Sequence, residues 1–246
     1  MTGDVVRIAM WSGPRNISTA MMRSFENRPD TAVVDEPFYA VYLKATGAAH
    51  PLRNEVLASQ PLDWREVVRA LEGPVPKGRR VFYQKHMTHH MLREIGRDWI
   101  QGMRNAFLIR APEDVLLSYA EVRGTATPEE IGVPQQRELF DREADRLGHA
   151  PPVIDTKDVL RDPKSVLSAL CKALGIPFSE RMLNWPAGRR DSDGVWAPAW
   201  YGSVEKSTGF VAPRGQRQAL PDDLKRVVDL VRGDYERLSA FKLPQA

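Results

Sequence analysis

The chain alternates between short apolar runs and longer stretches whose apolar residues recur at helical spacing. Residues 5–10, 31–34, 80–83, 106–109 and 152–154 are short, apolar and bounded by polar or turn residues, and read as strands. Helical patterns separate them, over 18–26, 53–59, 64–71, 113–122, 128–146, 163–174 and 222–238. In 163–174, Leu167, Leu170, Cys171 and Leu174 fall on one helical face. Asp162 precedes it as a cap, Pro163 opens it and Gly175 stops it. Strands alternating with helices predict an α/β fold, one domain over 1–246 with a parallel sheet and helices on both faces. Ligands of such sheets bind beyond the carboxyl ends of the strands. Segment 185–218 shows neither period and reads as an irregular, lid-like loop. Its Trp196, Trp200, Tyr201 and Phe210 predict that it packs rather than floats.

Composition narrows this picture only slightly. Of 246 residues, 42% are hydrophobic and 27% charged, which is enough for a sizeable core. The net charge of +3 suits an anionic small ligand without requiring nucleic acid, and no Lys/Arg run resembles a nucleic-acid arm. The single cysteine, Cys171, excludes an internal disulfide and a multi-cysteine metal site, and its place in an apolar stripe makes it core. No stretch approaches the ~18 apolar residues of a membrane span, so no membrane partner and a cytoplasmic protein are expected. Nothing in the composition fixes an oligomeric state.

Candidate chemistry begins where the first strand ends. Gly13-Pro14-Arg15-Asn16-Ile17-Ser18-Thr19 joins that strand to a helix. A helix N-terminus offers N–H groups and partial positive charge to an anion. Arg15 adds a fixed cation, and Ser18 and Thr19 add hydroxyls. The loop departs from the nucleoside-triphosphate pattern G-x-x-x-x-G-K-[ST], because Ser18 holds the second glycine's place and Thr19 the lysine's. A phosphate is indicated, and an ordinary ATPase or GTPase is not. The strand at 106–109 runs into Arg110, with Pro112 opening a helix, Asp114 in its first turn and Ser118 two turns on. Arg110 with Ser118 makes a second anion site on the same sheet edge. Two such sites suit a ligand with two separated phosphates.

With these motifs the chain resembles the sulfotransferase family that uses 3′-phosphoadenosine 5′-phosphosulfate (PAPS), a P-loop-type fold. Pro14-Arg15-Asn16-Ile17-Ser18-Thr19 is similar to that family's P-[KR]-S-G-T-T loop for the 5′-phosphosulfate. Arg110, Pro112, Asp114 and Ser118 match its R-x-P-x-D-x-x-x-S motif for the 3′-phosphate. Asp155 to Pro163, followed by Leu174-Gly-Ile-Pro-Phe178, is similar to its D-L-x-x-D-P helix and L-G-[LIV]-P-F turn. The matches fall in the family's order over about residues 5–180. Asn16 and Ile17 replace the family's Ser and Gly, and a β-branched Ile17 cannot take a glycine-type conformation, so a differently shaped loop is expected. The resemblance implies PAPS as co-substrate, no metal, and transfer of a sulfuryl group to a hydroxyl or amine of a small-molecule acceptor.

Sulfuryl transfer develops charge on the leaving phosphate, for which Arg15 is the leading cation. It also needs a base for the acceptor's proton. Glu36, just past the second strand, is the first candidate, a role the resemblance implies. Lys85 and His86, at the end of the third strand, look like the family's Lys and His, and His86 is the rival base. Being adjacent on a strand, they point to opposite faces, so one of them enters the site. His89 and His90 lack further ligands for a metal and read as surface residues at a helix start. Arg189, Arg190 and Lys206 offer cations from the lid-like segment. Two other readings stand beside this one: a nucleotide kinase-like phosphotransferase, and a non-catalytic nucleotide-binding protein on the same fold.

Overall fold

The computed structural model describes residues 5–124, 126–211 and 220–244, with the backbone alone at 121–123. Five parallel strands form one sheet in the order β2-β3-β1-β4-β5. They are β1 (Val6–Ser12), β2 (Thr31–Asp35), β3 (Val81–Met87), β4 (Arg104–Ile109) and β5 (Val153–Asp155). The helices are α1 (Ser18–Glu26), α2 (Tyr39–Thr46), α3 (Arg53–Ser59), α4 (Trp64–Glu72), α5 (Pro112–Arg123) and α6 (Pro128–Ile131). They continue with α7 (Val133–Leu147), α8 (Thr156–Arg161), α9 (Pro163–Ala173), α10 (Ala197–Trp200), α11 (Gly202–Glu205) and α12 (Asp222–Ser239).

β1 is apolar throughout its centre because both its faces are covered. Ile8 and Met10 pack against Met21, Met22 and Phe25 of α1 and Leu167, Leu170 and Cys171 of α9. Ala9 and Trp11 pack on the other face, with Val67 and Leu71 of α4 and Leu139 and Phe140 of α7. Cys171 is core, as its stripe predicts. Asp162 caps α9 through the Ser165 N–H, and Gly175 leaves it at φ +61°.

Short helices α8, α10 and α11 add to the sequence pattern, and three larger differences each have a physical reason. β3 runs on to Met87, four residues past its apolar run, because Gln84, Lys85 and His86 are buried polar residues with partners inside the fold. α2 has no polar face to signal a helix, since Tyr39 to Leu43 are all buried. The pattern over 128–146 breaks into α6 and α7 at Gly132, where φ is +70°. A Cβ there would lie 2.5 Å from Thr88 Oγ1, which donates to the Gly132 carbonyl at 2.8 Å. Glycine is thus required both for conformation and for room. Among the described residues, no helix is long and apolar enough to cross a membrane.

Candidate active site

All the strands end at one edge, so the residues just past them gather there. Across that edge the order is Glu36 after β2, Lys85 on β3, the 13–17 loop after β1, Arg110 after β4 and Thr156 after β5. A cleft of about 470 Å³ opens over them, within the usual range for small-molecule sites.

The loop after β1 is held by side chains rather than by a run of glycines. Gly13 lies against α6, where a Cβ would stand 2.5 Å from the Ile131 carbonyl. The left-handed turn falls at Arg15, φ +54°, and Ile17 keeps an ordinary backbone at φ −83° while packing into the α1 core. The differently shaped loop expected at Ile17 is therefore built around Arg15. Asn16 fixes it: its side chain donates to the Leu108 carbonyl of β4 at 3.1 Å and accepts from the Ile17 N–H at 2.9 Å and from Thr156 Oγ1. No side chain caps α1, and its first turn, with Ser18 and Thr19, lines the cleft.

The two arginines meet at this end. Arg15 Nε donates to Ser118 Oγ at 3.0 Å, and Arg110 Nη1 donates to the Arg15 carbonyl. Pro14, Arg15, Asn16, Ile17, Ser18, Thr19, Arg110 and Ser118 all line the cleft, whereas Gly13 sits behind it. The arrangement fits an anionic ligand: two guanidinium groups and an uncapped helix N-terminus at one end.

The other end is built from buried charge. Lys85 Nζ donates to Asp35 at 2.8 Å, to Glu36 at 2.6 Å and to the Tyr201 hydroxyl at 2.8 Å. Tyr201 donates to Asp35 at 2.7 Å and accepts from Trp196 Nε1 at 3.0 Å. Burial would lower the Lys85 pKa, but Asp35 and Glu36 hold it well above the usual lysine range. Burial raises the Glu36 carboxyl, Asp35 adds to this and Lys85 opposes it; the net direction is upward from 4.5. Glu36 is also held in the left-handed region at φ +40°. A strained, desolvated carboxylate at a cleft is suited to proton transfer.

Lys85 enters the cleft and His86 does not. The His86 ring stacks on Trp11, with centroids 4.5 Å apart, and contacts Gln84 at 3.1 Å. Burial pushes its pKa down to about 3. The catalytic role expected for His86 is corrected accordingly: it is a core residue on the opposite sheet face. His89 and His90 also depart from expectation, being buried in the cleft wall rather than on the surface.

The segment after residue 185 forms the remaining wall through Trp200, Tyr201, Val204 and Phe210. It is anchored by Arg23 to Asp193 at 2.6 Å, both side chains buried, and by the Gly194 N–H to Asp35 at 3.2 Å. Arg189, Arg190 and Lys206 do not line the cleft, so the cations expected from them are not supplied there. Residues 212–218 of the lid-like segment lie outside the described residues. Sequence reasoning missed Asp35 and the role of Tyr201; a buried Asp beside Glu36 at a strand end was the available signal. Among the described residues no group of three or more His, Cys, Asp or Glu could hold a metal.

A family model described as a sulfotransferase domain matches residues 6–235. The chain belongs to the sulfotransferase domain family. Its five-stranded α/β fold is that of the sulfotransferase domain from the curacin biosynthetic pathway, with TM-score 0.56, 16% identity and 98% of this chain covering 99% of that one. A sulfotransferase from Alicyclobacillus acidocaldarius is similar at TM-score 0.54 and 14% identity, covering 96% of this chain and 94% of that one. Two Arabidopsis thaliana proteins, branched-chain-amino-acid aminotransferase-like proteins 1 and 2, are 39% and 36% identical over 215 residues, 87% of this sulfotransferase-family chain. The chain spans 38% of the length of each.

Proposed function

We propose that this protein transfers a sulfuryl group from PAPS to a hydroxyl or amine of a small-molecule acceptor. The observation that carries the reading is the pairing of Arg15 with Ser118 and of Arg110 with the Arg15 backbone, at one end of a cleft whose other end holds Glu36 on Lys85. Arg110 and Ser118 would hold the 3′-phosphate. Arg15, Ser18, Thr19 and the α1 N-terminus would hold the 5′-phosphosulfate, with Gly13 and Asn16 shaping the loop. Glu36 takes the acceptor's proton as the acceptor forms its bond to sulfur and the bond from sulfur to the bridging phosphate oxygen breaks. Arg15 stabilises the charge that grows on that departing oxygen. Lys85 holds Glu36 in place. No metal is needed for these steps.

Calorimetric titration with 3′-phosphoadenosine 5′-phosphate (PAP), beside ATP with magnesium, tests the reading. Binding of PAP, together with transfer of labelled sulfate from PAPS to an acceptor, is the expected result. Binding of magnesium–ATP in place of PAP would overturn it in favour of a phosphotransferase.

A further inference from the structure

The cleft has a second wall that the PAPS-binding residues leave without a role. Tyr39 and Tyr42 come from α2, and His89 and His90 from the single turn that follows β3. All four are buried and all four line the cleft. They stand on the β2–β3 side of the sheet edge, with Glu36 and Lys85, whereas Arg110 follows β4 on the far side of β1. His90 stacks on Tyr39 with centroids 4.8 Å apart and planes 12° from parallel, and on Tyr42 at 4.8 Å and 29°. His89 meets the His90 ring edge-on at 4.3 Å, and the Tyr39 hydroxyl is 2.7 Å from His50 Nδ1. The Nδ1 of His90 has no hydrogen-bond partner among the described residues, although the residue is only 2% exposed. A buried polar atom left unpaired costs stability, and a ligand that completes it recovers that cost. Burial, joined by His89, His50, Lys85 and His86, holds His90 well below the usual histidine range. Its ring is therefore neutral near pH 7, with one nitrogen accepting and the other donating.

We propose that this wall is the acceptor subsite, and that it takes an alcohol on an uncharged body, with His90 hydrogen-bonded to the reacting hydroxyl. The inference rests on the sulfuryl-transfer reading above and narrows it from hydroxyl or amine to hydroxyl. A hydroxyl matches a neutral imidazole and a carboxylate at once, because it both donates and accepts. Its lone pair is free before any proton moves. The oxygen forms its bond to sulfur, the sulfur–phosphate oxygen bond breaks, PAP leaves, and the hydroxyl proton passes to Glu36. An alkylammonium, with a pKa near ~10, has no lone pair until it loses a proton, and Glu36 is a far weaker base. It would also set a second cation on the carboxylate oxygen that Lys85 already holds at 2.6 Å.

The test uses the full chain, PAPS, and matched pairs of acceptors on one skeleton: benzyl alcohol with benzylamine, and phenethyl alcohol with phenethylamine. PAP binding is titrated in parallel. The expected result is PAP binding and, at pH 7, kcat/KM for the alcohols at least about tenfold above that for the amines. His90→Phe should raise KM for the alcohol about fivefold to tenfold with PAP affinity unchanged, the size of one hydrogen bond. His90→Asn, which restores a polar atom near the Nδ1 position, should recover most of the loss and guards against a folding defect. Amines turned over as well as alcohols, no alcohol turned over by PAP-competent protein, or an unchanged KM in His90→Phe would each overturn the acceptor assignment alone. Failure of PAP to bind would overturn the sulfuryl-transfer reading and this inference with it.

Discussion

The two ends of the cleft are built on opposite principles. The end over β1 and β4 gathers half-buried cations and backbone N–H groups, held by hydrogen bonds to neighbouring main chain and to the Ser118 hydroxyl. The end over β2 and β3 buries its charges, and each is held by another side chain: Lys85 by Asp35, Glu36 and Tyr201. The first arrangement suits a ligand that arrives carrying fixed negative charge, since solvated cations cost little to keep waiting for it. The second suits a proton that must move, since desolvation brings a carboxylate closer to the pKa of what it accepts from. A chain that divides its polar residues in this way can bind tightly at one end and react at the other.

The sharpest way to break the comparison is to remove the proposed base. In Glu36→Gln, turnover should fall roughly a hundredfold to ten-thousandfold, the usual worth of general-base catalysis, with PAP affinity unchanged. Retained turnover would mean that the buried end does no proton chemistry. The wild-type pH profile supplies a companion measurement. Glu36 must be ionised to act, and its pKa is raised from 4.5 by burial and by Asp35. Activity should therefore fall as pH drops through a value above 4.5, and this limb should vanish in Glu36→Gln. Stability has the opposite sign: the folded chain holds that proton more tightly than the unfolded one, so Glu36 favours folding at low pH and this contribution is lost as pH rises through the raised value.

Next in size is the cationic end. Arg110→Ala should weaken PAP binding about tenfold to a hundredfold, the worth of a charge-assisted pair, while turnover at saturating PAPS stays near normal. Arg15→Ala should cut turnover by more than it weakens PAPS binding, because charge on the bridging oxygen grows between bound PAPS and the transition state. Equal losses in the two quantities would make Arg15 a ground-state contact. Together these variants ask whether one end binds and the other reacts, or whether both do both.

The same division explains what could be read before any fold was known. The cationic end is written in short, fixed spacings: Arg15 three residues before α1, and Arg110 eight before Ser118 on one strand–helix unit. Local sequence determines such geometry, and so do the apolar period of β1 and the caps of α9. The buried end is assembled from afar. Tyr201 is 166 residues from Asp35, to which it donates, and nothing in either neighbourhood announces the other. The inward side chain of the pair Lys85–His86 follows only from where β2 lies. Asp35 pairs with Lys85 in register, which commits the lysine to the cleft and turns His86 onto Trp11. His89 and His90 misread as surface for a similar reason: α2, which buries them, has no amphipathic signature of its own.

The smallest effects should come from the two residues that hold Lys85 beside Glu36, and they test whether the buried end is tuned or merely packed. Asp35 raises the Glu36 pKa by repulsion, whereas the nearby Tyr201 hydroxyl lowers it. Asp35→Asn should thus move the acidic limb of the pH profile to lower pH, and Tyr201→Phe should move it to higher pH. Each should leave PAP affinity unchanged, since neither residue lies at the Arg15–Arg110 end. Tyr201→Phe strands the Trp196 N–H and one Lys85 donor inside the fold. That should cost about 1–3 kcal/mol, seen as a fall of several degrees in melting temperature for a domain of this size. A packing role alone would reproduce the lowered melting temperature and leave both limbs where they were. Shifts in opposite directions from two residues that hydrogen-bond each other at 2.7 Å are what their opposite effects on Glu36 lead us to expect, and packing alone would not produce them.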